Sequence, residues 1–191
     1  MNHQIFNREY HEARMEKAQK SLFGEFTAHL IEQVEFPKTL KPDTVYKLRI
    51  TYNTQIQQYH FSVYHPRKIS SLQCVVDNRV SYPHKFEDRN RIANLFAQKG
   101  EADDIIIIKN GKVTDSSYTS LAFLKDGKWY TPDTPLLPGT KRAYYLKKGK
   151  LEEMEISLNN IENFEGVCLI NAFFDLSLDR LIPTDKIKKP E

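Results

Sequence analysis

Apolar positions along the chain change period twice. In residues 7–23, Tyr10, Ala13, Ala18 and Leu22 recur at near-helical spacing, with Asn7 placed to cap the start and Gly24 to end it, so the pattern predicts a helix. Residues 25–34 predict a second helix carrying Leu30, Ile31 and Val34 on one side and stopped by Pro37. At 45–52 the period falls to two. Tyr46, Leu48, Ile50 and Tyr52 alternate with Lys47, Arg49 and Thr51, the pattern of a half-buried strand, and Tyr59, Phe61 and Val63 predict its partner. His65-Pro66-Arg67 forces an extended link. These elements predict a small N-terminal α+β domain over 1–66 and a larger one over 67–191.

Beyond the link the chain is strand-rich. Residues 72–76 read as a short buried strand and 90–98 as a helix with Ile92, Leu95 and Phe96 inward. The four isoleucines 105–108 form the strongest buried-strand signal in the chain. Asn110-Gly111 and Asp126-Gly127 are tight-hairpin signals, predicting a meander over 105–109, 112–116, 121–124 and 129–130. A helix over 138–148, a strand over 151–156, a short turn capped by Ser157 and a last strand over 167–173 complete the reading. Two α+β layers are expected, not a doubly wound parallel sheet.

Composition narrows the class. At 191 residues, 40% hydrophobic and 28% charged, the chain can bury a core and is not of the disordered type. The formal net charge of +3 is small and interspersed, which argues against nucleic acid as partner, and Lys186, Lys188 and Lys189 read as a solvated tail. Cys74 and Cys168 lie inside apolar runs without CxxC or paired-His neighbours, so buried thiols and no metal are expected. With no apolar run long enough for a bilayer, no membrane partner and a cytoplasmic location are expected.

Three segments carry candidate chemistry. Lys85 stands in a turn beside Tyr82 and His84, with Arg89 four residues on; a lysine attacks a carbonyl only when its amine is desolvated or near another cation. Asp115 and Ser116 lie in the run that begins at Asp104 and passes Asn110-Gly111 and Val113-Thr114. Gly139-Thr140-Lys141 opens the helix over 138–148, where backbone N–H groups suit a phosphate. On the first helix, Arg14 follows His11 by one turn, and Asn171 stands in an apolar late strand.

In this order the segments resemble those of the fold-type IV pyridoxal-phosphate enzymes. Tyr82-x-x-Lys85-x-x-x-Arg89 is similar to the Schiff-base lysine segment of the short lyases. The run 104–132 is similar to the family's central hairpins, with Asp115 at the position of a glutamate that bonds the pyridine nitrogen and Ser120 at that of an asparagine. Residues 137–142 are similar to a Leu-Pro-Gly-Ile-Thr-Arg phosphate loop, and His11-Glu-Ala-Arg14 to a His-x-x-Arg helix whose arginine holds the phosphate. The resemblance spans about residues 5–176.

It implies the two-domain D-amino-acid aminotransferase-like architecture with pyridoxal 5'-phosphate as cofactor. Lys85 is then catalytic; Arg14, Lys85, Asp115, Ser116, Gly139, Thr140 and Lys141 hold the cofactor, and Arg89 and Asn171 contact substrate. The implied reaction converts 4-amino-4-deoxychorismate to 4-aminobenzoate and pyruvate. An aminotransferase acting on branched-chain or D-amino acids is the alternative, and a non-catalytic interaction module is an alternative of another class. A small-molecule amine as substrate and a homodimer are implied as well. The family's usual first strand, before the His-x-x-Arg helix, is expected to be missing.

Overall fold

The structure is a computed structural model, which describes residues 4–190. Two compact units divide the chain, Met1–Arg67 and Lys68–Glu191.

In the first unit, α1 (Arg8–Phe23) ends as its sequence predicts. Gly24 takes φ 77°, and its N–H closes on the Lys20 carbonyl at 3.1 Å. Asn7 does not cap the start: it is left-handed, at φ 52°, and makes no side-chain cap bond, whereas capping needs an extended residue aimed back at the first turn. The expected second helix shrinks to one 3-10 turn, Leu30–Gln33. The chain before it is tied down by the fully buried Gln19, which accepts from Thr27 N–H at 3.3 Å and donates to the Asn53 carbonyl at 2.6 Å. Strands β1 (Tyr46–Tyr52) and β2 (Ile56–Val63) form an antiparallel pair with Leu48 opposite Phe61 and Ile50 opposite Tyr59. Ile50, Tyr52 and Ile56 pack on Met15, Leu30 and Ile31.

The second unit contains two sheets. One is ordered β11 (Ile187–Lys188), β3 (Leu72–Val76), β4 (Asp104–Lys109), β5 (Lys112–Ser116). The other is ordered β10 (Ile182–Pro183), β9 (Gly166–Ile170), β6 (Ser120–Lys125), β7 (Lys128–Pro132), β8 (Glu152–Met154). Parallel pairs (β11–β3, β3–β4, β7–β8) sit among antiparallel ones, giving an α+β arrangement. Ile105 to Ile108 are all at 0% exposure, so β4 is covered on both faces. Val75, Val80, Ile105 and Ile107 meet Leu95 of α2 (Asn90–Phe96), while Ala122, Cys168 and Ile170 meet Tyr145 of α3 (Thr140–Lys147). Burial pushes the Cys74 thiol up to about 12, as suits an inert core sulfur.

Both predicted hairpins form, with Asn110, Gly111, Asp126 and Gly127 all at positive φ. They do not make one meander. The chain leaves the first sheet after Ser116 and enters the second at Ser120, because β6 pairs with β9 and β7 while β5 pairs with β4. The helix expected at 90–98 loses its last turn to a 3-10 segment, Ala97–Lys99, and starts at Asn90, so Lys85 and Arg89 do not share a helical face. The last long strand stops at Ile170 because Asn171 Oδ1 accepts from Phe173 N–H at 2.8 Å and Phe174 N–H at 3.0 Å, turning the chain. The turn after Ser157 is closed by Asn160, whose side chain accepts the Ser157 N–H at 2.8 Å.

Candidate active site

The crossing between the two sheets is a tightly bonded turn. Ser116 N–H donates to the Thr119 carbonyl at 2.9 Å. The Ser116 hydroxyl lies 2.7 Å from that of Thr119 and accepts from Thr119 N–H at 3.0 Å. Arg89, the residue just before α2, donates its guanidinium to the Ser117 carbonyl. The segment that carries Lys85 is thereby tied to the turn that carries Asp115.

Asp115 is buried, yet its carboxylate is well supplied with donors. Oδ2 accepts from Leu136 N–H at 2.7 Å and Leu137 N–H at 3.0 Å. Burial nevertheless dominates and pushes the carboxyl up to about 6, against the pull of those two amides, the Ser120 hydroxyl and the Arg142 charge.

The Leu136–Leu137 amides lead into Gly139 and the start of α3. A Cβ built on Gly139 would lie 2.6 Å from Ser120 Oγ, so glycine lets these two residues approach without displacing that hydroxyl. Gly139 is extended, and no side chain caps the helix start, whose first-turn N–H groups lack intrahelical acceptors. Thr140, Lys141 and Arg142 are buried. Arg142 serves the scaffold: Nη2 donates to the Pro132 carbonyl at 3.0 Å and pairs with Glu153. Lys141 Nζ donates to Asp175 Oδ1 at 2.6 Å, and Tyr145 OH reaches the same oxygen at 2.7 Å. Burial, then Asp175, pushes the Tyr145 phenol up to about 12.

Lys85 is exposed, in a loop held by aromatic residues. Tyr82 OH donates to the Phe86 carbonyl at 2.6 Å, and the Tyr82 and His84 rings stand edge-on to Phe86 at 6.0 and 5.6 Å. The loop is anchored at its start by Lys109 Nζ, which donates to the Val80 carbonyl at 2.7 Å.

The second unit therefore links Arg89, Asp115, Ser116, Ser120 and Gly139 through direct contacts, with Lys85 on the Arg89 loop. Lys141 leans instead toward Asp175, and Asn171 spends its side-chain carbonyl on its own turn. Arg14 belongs to the first unit, half-buried on α1, where its charge bears on Tyr52. The sequence did not single out Asp175, Tyr145 or the Leu136–Leu137 amides. A signal for Asp175 existed in retrospect, since a lysine in the first turn of a helix opposes the helix dipole and needs an anion when buried. Glu12, His29 and Glu32 of the first unit come close enough to share a cation, but Arg8 already pairs with both glutamates.

The chain matches the family model described as amino-transferase class IV over residues 1–177. It is 38% identical to an uncharacterized protein of Haemophilus influenzae over 174 residues, covering 90% of this chain and 92% of that one. It is similar to a solved structure from Haemophilus somnus, provisionally named a 4-amino-4-deoxychorismate lyase, with 30% identity, a TM-score of 0.75, and 90% and 91% of the two chains covered. A Mesorhizobium loti structure, provisionally named an amino-acid aminotransferase, has a TM-score of 0.71 at 18% identity over 97% of this chain and 92% of that one, a likeness of fold.

Proposed function

The chain belongs to the amino-transferase class IV family of pyridoxal-phosphate-dependent enzymes, and from that premise we propose that it is a lyase converting 4-amino-4-deoxychorismate to 4-aminobenzoate and pyruvate. The observation that carries the reading is the set of contacts in the second unit that ties the loop carrying Lys85 to the turn after Asp115 through Arg89–Ser117, and the buried Asp115 carboxylate to the approach to an uncapped helix start through Leu136 and Leu137. The donor set fits the cofactor. Its aldehyde calls for an amine, its ring nitrogen for a carboxylate, and its phosphate for backbone N–H groups approached closely at a glycine. The similarity to the Haemophilus somnus protein favours a lyase.

Pyridoxal phosphate, when bound, supplies an electron sink for the pair left when a proton leaves the substrate carbon. Lys85 would hold it covalently until the substrate amine takes that place, and the freed Lys85 Nζ would then take the proton from the amine-bearing carbon. The Oδ1 of Asp115, the oxygen not committed to Leu136 and Leu137, would face the ring nitrogen and keep its proton in place. The start of α3 from Gly139, with Thr140, Ser116 and Lys141, would hold the phosphate. Arg89 would act chiefly by positioning the Asp115 turn, and Asn171 would offer its amide nitrogen to the substrate. Departure of pyruvate aromatises the ring, giving 4-aminobenzoate for folate synthesis.

The two-stranded sheet of the first unit has open edges within that unit, which suits pairing with a second copy and supports a homodimer. Light scattering at micromolar concentration should give twice the chain mass, and a monomer would count against it. Among the described residues no helix is long and apolar enough to cross a membrane. Two buried free thiols suit a reducing, cytoplasmic setting.

The decisive assay follows pyruvate release from 4-amino-4-deoxychorismate beside 2-oxoglutarate-dependent deamination of amino acids. Pyruvate without 2-oxoglutarate is expected; deamination alone would make the chain an aminotransferase. Lys85→Ala should abolish borohydride trapping of the cofactor and lower turnover by about a thousandfold or more. Wild-type protein that stays colourless with added pyridoxal phosphate would point to a non-catalytic interaction module.

A further inference from the structure

One oxygen of the Asp115 carboxylate is committed to the backbone. Oδ2 takes two consecutive backbone N–H groups, Leu136 at 2.7 Å and Leu137 at 3.0 Å, twenty-one and twenty-two residues further along the chain. Ser120, which also bonds Asp115, stands with its hydroxyl 2.6 Å from where a Gly139 Cβ would be. One acid therefore fastens the approach to α3 at two consecutive amides, Leu136 and Leu137, and also bonds Ser120, which lies against Gly139. The two amides would otherwise be buried or half-buried donors needing an acceptor, and an ionised carboxylate is the strongest one available to them.

We infer that Asp115 is a positioning residue for the phosphate-binding start of α3, so that the ring-nitrogen and phosphate ends of the proposed cofactor site are coupled through one carboxylate. This rests on the cofactor reading given above. Arm length is the reason an aspartate suits the task. The carboxylate sits one methylene closer to its own backbone than a glutamate's would, and two adjacent amides converge on a single oxygen at that depth. A glutamate would carry the same charge but put its oxygens beyond the point where Leu136 and Leu137 meet.

Affinity for pyridoxal 5'-phosphate divided by affinity for pyridoxal, which lacks the phosphate, isolates the phosphate's share of binding. Both ligands are titrated spectroscopically into the full chain freed of cofactor, as wild type, Asp115→Asn, Asp115→Glu and Ser120→Ala. The wild-type ratio should be large and should fall by about tenfold in both Asp115 variants, because each loosens the loop, with a smaller fall for Ser120→Ala. An acid acting solely on the ring nitrogen would weaken both ligands alike. An unchanged ratio in Asp115→Asn, or a ratio restored in Asp115→Glu, would overturn the inference while leaving the cofactor reading intact. Amide hydrogen exchange at Leu136 and Leu137 is followed in the same proteins without ligand. Faster exchange at these two sites in the Asp115 variants is expected. Unchanged protection there would overturn the inference even if the wild type binds neither ligand, the result that would sink the cofactor reading itself.

Discussion

Two aspartates flank the start of α3, and their surroundings are opposite. Asp115 is buried among neutral donors, so the cost of desolvating its charge wins and its carboxyl rises to about 6. Asp175 has 65% of its side chain exposed. Burial also opposes its charge, but the Lys141 ammonium, the Tyr145 hydroxyl and the Arg180 charge together outweigh that and hold it below the usual carboxylate range. An acid held by backbone amides in a dry place fixes geometry at an electrostatic cost, whereas an acid at the surface neutralises a buried lysine at little cost. The same residue type is thus a fastener on one side of the helix and a counter-ion on the other.

Removing each acid should separate these roles. The largest effect is expected from Asp115→Asn. An amide holds a proton on a ring nitrogen far less well than a carboxylate, and turnover should fall by about a hundredfold, or roughly 3 kcal/mol. Asp175→Asn should change turnover much less, and equal losses in the two variants would erase the contrast.

Next in size is the pH dependence of stability without cofactor. The folded Asp115 carboxyl lies near 6, above its unfolded value, so folding binds a proton there. Its contribution is full below the unfolded value and lost as pH rises through about 6. The swing should be on the order of 2 kcal/mol across roughly pH 4 to 6. Asp175, lowered on folding, acts with the opposite sign and at lower pH: its contribution is present above the unfolded carboxylate value and lost as pH falls through the folded one. Thermal melts across pH 3 to 8 should show Asp115→Asn flattening the upper slope and Asp175→Asn the lower one. If Asp115→Asn leaves the slope between pH 4 and 6 unchanged, Asp115 is not buried as described.

The smallest effect concerns the ion pair itself. Asp175→Asn strands a lysine whose side chain is 9% exposed and should cost about 1 kcal/mol, discounted because its partner faces water. Lys141→Met removes the charge while keeping the stem and should be nearly neutral in a melt. If Lys141 also serves the phosphate, it should weaken pyridoxal phosphate but not pyridoxal. Equal destabilisation by both variants would show that the pair, and not the stranded charge, sets the cost.

Local patterns made much of this legible in the sequence. The period-2 alternation at 46–52, the isoleucine run at 105–108 and the Asn-Gly and Asp-Gly turns each carry their own cause, since side-chain alternation and positive φ are properties of adjacent residues. The helix start after Gly139 was legible for the same reason, while the amine, acid and glycine stood out by their resemblance to known segments. The missed or altered elements are those decided by partners far along the chain. Gln19 holds the backbone at Thr27 and Asn53, so 25–34 yields one turn in place of a helix. The choice of β9 as partner for β6 splits the predicted meander and creates the crossing at Ser116 to Ser120 where Asp115 is buried. Sequence alone thus determined which residues could do chemistry and where strands and turns would begin. Tertiary structure decided which acid is buried, what each of its oxygens bonds and which lysine is neutralised, because burial and long-range hydrogen bonding depend on neighbours that chain order does not specify.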